Sequence, residues 1–234
     1  MKLLTPGLLA LMLALPSQAA DPTTDALQQA YAPYRVALFR TNSQDRAEAE
    51  RALSQAQRAW QQVSERFATS PPWPYAADTR FAATLREVGQ VYQEAEVLVK
   101  AGQLAKSHEV LERVRDLLAD LRQRNGVVVF SDAMNDYHAA MEDLLKDGPA
   151  VMTKPQGALQ LMAHVGVQEH LAKRLVTHAG AALQSDAEFL AGLQAVRASV
   201  AALRAAVESQ DAAAVNKAIA GLKGPYSRLF LKFG

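Results

Sequence analysis

Apolar residues recur along much of this chain at alternating intervals of four and three, the spacing of an amphipathic helix with one buried seam. Phe81, Leu85, Val88, Tyr92, Ala95 and Val99 form one such run; Phe189, Leu193, Val196, Val200, Leu203 and Val207 repeat it 108 residues later. A short turn follows each run, Ala101-Gly102 in the first and Ser209-Gln210-Asp211 in the second, where Ser or Asp is suited to capping the next helix. The return helices align as well. Leu104, Leu111, Val114, Leu118 and Leu121 correspond to Ala212, Ile219, Leu222, Tyr226 and Leu229, and Gly126 falls on Gly234. A third copy lies at an offset of 58, with Leu27, Tyr34 and Ala37 on Leu85, Tyr92 and Ala95. Beyond the Thr41-Asn42-Ser43 turn, Leu53, Trp60 and Val63 fall on Leu111, Leu118 and Leu121. Loops this short force antiparallel neighbours. The expectation is an all-α fold, an antiparallel helical bundle or bundles built from three similar helical hairpins plus a central helix pair.

Two stretches interrupt the pattern. Ser70-Pro71-Pro72-Trp73-Pro74-Tyr75 cannot be helical through its prolines and reads as an extended link, its aromatics on the surface or plugging one end. Asn125-Gly126 is a helix stop, with Arg122 and Arg124 placed favourably against the C-terminal dipole. Val127-Val128-Val129-Phe130 then reads as a buried extended crossover ending at Ser131 as a cap. Asp147-Gly148-Pro149 is expected to end the helix that follows, and another begins between Thr153 and Gly157. This divides the chain into a leader over 1–19, helical hairpins over 20–130 and a helical bundle over 131–234.

The leader rests on Lys2, an apolar run from Leu3 to Leu15 too short to span a bilayer, Pro16, and small residues at Ser17 and Ala19. Cleavage after Ala19 is expected, which places the mature protein in the periplasm with no membrane span. About 215 mature residues suffice to bury a sizeable core. Loss of Lys2 takes Lys+Arg from 25 to 24, equal to the 24 Asp+Glu. A nucleic-acid partner is therefore not expected, and the basic stripe of a membrane-surface helix is missing too. The absence of cysteine excludes a lipid-anchored lipoprotein, a disulfide framework, thiolate metal sites and haem attached through C-x-x-C-H.

Candidate chemistry centres on the helix after Ser131, where Met134, His138, Met141 and Leu145 are spaced 4-3-4. Two thioethers and an imidazole on one face suit a soft ion such as Cu(I), and Met/His pairs also ligate haem iron. On the next helix His164, Val167, Leu171, Leu175 and His178 form a stripe, and His164 is a candidate fourth metal ligand. Core packing accounts for the same residues, since Met fills irregular gaps. His108 and Glu112 form an i, i+4 pair beside the second hairpin's seam. No Glu-x-x-His pair, His-Glu-x-x-His, Gly-x-Ser-x-Gly, phosphate loop or dinucleotide fingerprint is present, so no catalytic residue is expected.

Glu208-Ser209-Gln210-Asp211-Ala212-Ala213-Ala214-Val215, with Ile219, Leu222 and the aromatic-basic tail, resembles the last turn and helix of the cytochrome c-prime-like periplasmic four-helix bundles. The resemblance spans roughly the last 45 residues and implies architecture and compartment. Where that family carries C-x-x-C-H, this chain reads Lys223-Gly224-Pro225-Tyr226-Ser227-Arg228, so no haem-binding residue carries over, and Pro225 is expected to kink the helix. The functional expectation is a non-enzymatic exported binding or accessory protein, with copper as the candidate ligand. The alternatives are an interaction module whose protein partner docks between hairpins or on the Trp73/Tyr75 link, and a carrier of non-covalent haem held by His138.

Overall fold

The computed structural model describes residues 21–43 and 45–234, so the leader read over 1–19 lies outside the described residues. Helices α1 (Pro22–Thr41) and α2 (Arg46–Phe67) form the first hairpin, and α3 (Phe81–Lys100) and α4 (Leu104–Arg124) the second. The central pair is α5 (Phe130–Met152) and α6 (Gly157–His178). After the four-residue α7 (Ala181–Gln184), α8 (Ala187–Ser209) returns through α9 (Ala212–Gly221) and α10 (Lys223–Phe233). A 3-10 turn at Tyr75–Ala77 completes the described residues, which contain no strand. The protein is an all-α helical bundle protein.

Local chemistry sets the boundaries. Asp21, Asp45, Asp186 and Asp211 each cap a helix with the carboxylate on first-turn amides, which also complements the helix dipole. Gly102 and Gly126 end α3 and α4 with φ of 72° and 66°. The amide beyond each glycine reaches back five residues, Gln103 N–H to Leu98 O at 2.8 Å and Val127 N–H to Arg122 O at 2.9 Å. Only glycine takes that left-handed turn without strain.

Packing sorts the helices into two rings of four. One is α1 to α4 in sequence; the other is α5, α6, α8 and the α9/α10 return. The rings correspond position by position. Buried Leu27, Ala30, Tyr34, Ala37 and Thr41 of α1 precede buried Met134, Tyr137, Met141, Leu144 and Gly148 of α5 by 107 residues. In the same way Ala49, Leu53, Ala56, Trp60, Val63 and Phe67 of α2 precede Leu161, Val165, Gln168, Ala172, Leu175 and Ala179 by 112. The central pair is thus a fourth hairpin in the role of the first.

Several local expectations are corrected. Val128 is 73% exposed and Val127 and Val129 half-buried, so the crossover is a surface strap. Helix α5 starts at Phe130, leaving Ser131 buried inside it and Val129 at the cap position without a side-chain bond. Nor does Asp147-Gly148-Pro149 end α5, which runs on to Met152. Gly148 is buried where α9 crosses, and a Cβ there would sit 2.7 Å from Ile219 Cδ1, so packing holds the helix through the proline. The return helix breaks at Leu222, and Pro225 lies in the first turn of α10, where the missing amide costs least. In the link, Trp73 is 71% exposed whereas Tyr75 is buried against Phe81.

The two rings meet along α1, α4, α5 and α10. Arg35 of α1 donates to the Leu231 and Lys232 carbonyls at 3.3 and 3.2 Å, capping the end of α10, and Tyr31 meets Phe230 edge-on. Arg122, buried in the last turn of α4, pairs with Asp132 in the first turn of α5, its Nε lying 3.0 Å from both carboxylate oxygens. A fork-on-carboxylate pair of this kind fixes the crossing geometry. Because Leu111 of α4 and Leu203 of α8 are wholly buried in their seams, replacing either with Asp strands a charge in the core. Each variant is expected to lose about 3 kcal/mol or more in urea unfolding; unchanged midpoints would refute the seam register.

Candidate functional site

The four residues nominated as metal ligands do not converge. Met134 and Met141 are fully buried on the core face of α5, and the residue between them on that face is Tyr137. His138 lies on the flank turned toward α4 and α10, with its side chain 16% exposed. His164 is exposed on α6, where it lines a hollow with Asp143, Asp147 and Lys154. Among the described residues no group of three or more His, Asp or Glu is placed to hold a metal ion. The α6 stripe is likewise rotated: its buried residues are Leu161, Val165, Gln168, Ala172 and Leu175.

His138 belongs to a polar junction between the rings. Arg115 Nη1–H donates to His138 Nδ1 at 3.2 Å, which leaves the ring proton on Nε2, 3.5 Å from Glu142 Oε1. Arg115 also bonds Glu112 at 2.5 Å, and Lys223 stands 4.0 Å from Glu142. Nearby, His108 Nδ1–H donates to the Leu38 carbonyl at 2.9 Å, with Nε2 3.7 Å from Glu112. This histidine is half-buried rather than solvated. Burial first, then the cations Arg115 and Lys223 and the neighbouring His108, push the His138 pKa down to about 3. A guanidinium on one ring nitrogen disfavours a metal cation at the same imidazole, so His138 does not fit a Met-His-Met copper site or an axial haem ligand.

A groove of about 610 Å3 lies elsewhere, between α2 and α3. Its walls carry Ser54, Gln57, Arg58, Gln61 and Ser64 from α2 and Arg86, Gln93 and Glu96 from α3. Trp60, Leu85 and Tyr92 form the floor, with Trp60 Nε1–H donating to the Leu85 carbonyl at 3.0 Å. Gly89 opens the middle: a Cβ built there meets no atom within 4 Å. Gln57 spans one end, its amide on the Tyr92 carbonyl at 3.3 Å and on Glu96 at 2.9 Å. Lys100, at 2.5 Å from Glu96, balances that carboxylate and with Gln57 holds its pKa below the ordinary value. Arg58 bonds only Ser54, at 2.6 Å, and neither Arg58 nor Arg86 has a carboxylate within 4.0 Å among the described residues.

The second ring carries different side chains on the corresponding face. By the offsets above, Gly89 corresponds to Arg197, and the Gln57–Glu96 pair to Glu169–Arg204. Glu169 and Arg204 form a two-pronged ion pair, both contacts at 2.6 Å. Sequence reasoning passed over this site because a glycine inside a seam-bearing helix carries no motif. The one available signal was Gly89 itself, a residue unfavourable in a helix interior. No family model matches the chain, and no curated protein or solved structure gives a significant match.

Two outcomes test these placements. Between pH 6.5 and about 3 the unfolded chain binds a proton that folded His138 refuses, so stability falls as pH drops through that window. His138→Gln is expected to flatten that acid branch in urea titrations at pH 7 and pH 4, and an unchanged slope would place His138 in a more polar setting. Met134→Leu/Met141→Leu conserves volume and is expected to cost under about 1.5 kcal/mol. A Cu(I) competition titration should then distinguish neither variant nor parent from buffer; stoichiometric uptake lost in the double variant would restore the thioether site.

Proposed function

We propose that this is a non-enzymatic exported binding protein whose ligand-receiving surface is the α2–α3 groove. The observation that carries the reading is Gly89. Within a helix, glycine costs about 0.5–1 kcal/mol relative to alanine, and it is usually kept where the backbone turns or another chain comes close. Neither holds at Gly89, whose Cβ position faces open space in a groove of ligand-binding size. The corresponding helix of the other ring carries Arg197 at this point, so the fold itself does not require the glycine.

The non-catalytic part of the proposal is supported by how the histidines are used. His108 and His138 both spend a ring nitrogen on structural bonds at the ring junction, and neither lines the groove. The groove itself pairs no nucleophile with a base: its serines are Ser54, which accepts from Arg58, and Ser64. The exported setting rests on the leader over residues 1–19.

Gly89→Ala is expected to raise stability by about 0.5–1 kcal/mol, because it adds helix propensity without a clash. Gly89→Leu should fold equally well while filling the groove. Native mass spectrometry of protein purified from the exporting compartment is expected to show a bound small molecule in the parent that is missing from Gly89→Leu. Identical spectra would refute the groove as the binding surface.

A further inference from the structure

Resting on the reading of the groove as the binding surface, we propose that its ligand is a sugar acid, a hydroxyl-rich organic carboxylate. The floor offers no deep apolar slot: Trp60, Leu85 and Tyr92 are only 4%, 1% and 2% exposed, so they form a shallow base that an apolar ligand cannot enter. Recognition must come from the walls. There Gln93 supplies an amide that both donates and accepts, Gln61 keeps one N–H beside its carbonyl, Gln57 offers its carbonyl oxygen, and Ser54 and Ser64 supply hydroxyls, a set that pairs with sugar hydroxyls in either direction.

Arg58 and Arg86 add the charge requirement. They stand on opposite walls, α2 and α3, each with guanidinium N–H groups not committed to a carboxylate of this chain. A guanidinium fork matches a planar carboxylate two-pronged. The lining holds two cations against Glu96, itself balanced by Lys100, and Gln61 leans on Glu65 at 2.7 Å. That modest positive balance suits singly charged carboxylates better than a doubly charged phosphate ester.

The test uses the protein's own reporter. The chain has two tryptophans, and Trp73→Phe removes the exposed one, leaving Trp60 in the groove floor. Galacturonate is titrated into this variant at physiological ionic strength, with neutral galactose and inorganic phosphate as the comparisons. The expected result is a saturable change in Trp60 emission with galacturonate, at least about tenfold weaker with the neutral sugar and not displaced by equimolar phosphate. Arg58→Gln and Arg86→Gln should each weaken binding by about tenfold or more, and Gly89→Leu should abolish it with the melting temperature kept. No response to the acid, equal response to the neutral sugar, or displacement by phosphate would each overturn the proposal. A neutral molecule found by native mass spectrometry and lost in Gly89→Leu would overturn the sugar acid alone and leave the groove reading standing.

Discussion

Burial of the apolar seams has to supply nearly all of the stabilisation, because a chain without cysteine forms no disulfide. Each buried leucine, valine or aromatic side chain contributes about 1.5–3 kcal/mol. The conformational entropy that folding gives up is of the same overall size as the total, so continuity of the seam matters more than any single contact. Antiparallel hairpins make that continuity possible with minimal loop. A two-residue glycine turn at Gly102, or an aspartate cap at Asp211, returns the chain so that the next seam faces the last.

Once two rings exist, a second constraint appears, the register between them. The junction is polar where the ring interiors are apolar: Arg122 on Asp132, Arg35 on the end of α10, Arg115 bridging Glu112 and His138. Buried ion pairs add little net stability, since desolvation offsets attraction, but they penalise every other arrangement by leaving a charge unpaired. Hydrophobic seams alone would let the rings slide; the arginines set where α4 meets α5 and where α1 meets α10. The low pKa of His138 is a consequence of this design, not a separate device.

The seams of α3, α4, α8 and the return helix were readable because Leu, Val and Phe at 4-3 spacing leave one orientation. The α5 seam was misread by a single residue. Met134, Tyr137, Met141 and Leu144 are buried, but Tyr137 looks polar in sequence and His138 sits at the same helical distance from Met134 and Met141. One position is about 100° of rotation, enough to turn the imagined ligand toward another helix. Helix α6 was harder still, since Gln168 is buried where its counterpart in α2 is Ala56. Such positions are assigned by what packs on them, which no local pattern records. Pro149 misled for the same reason: a proline signals a helix end unless tertiary contact, here Ile219 over Gly148, holds the helix through it.

The correspondence of the rings also bears on the candidate site, because each serves as a control for the other. The two faces share helix geometry and seam spacing, but they differ both in the seam, where Trp60 and Tyr92 stand against Ala172 and Val200, and in the outer rows. Across α6 and α8, Glu169 and Arg204 satisfy one another and Arg197 stands at the central position. Across α2 and α3 the spanning pair is weaker, a glutamine amide on a glutamate already held by Lys100, and the central position has no side chain. A stability argument favours the first arrangement, since an arginine is a better helix former than a glycine and its stem covers the seam. The walls of the open face carry guanidinium and amide groups around a space of about 610 Å3, and the proposal of a binding role rests on that combination.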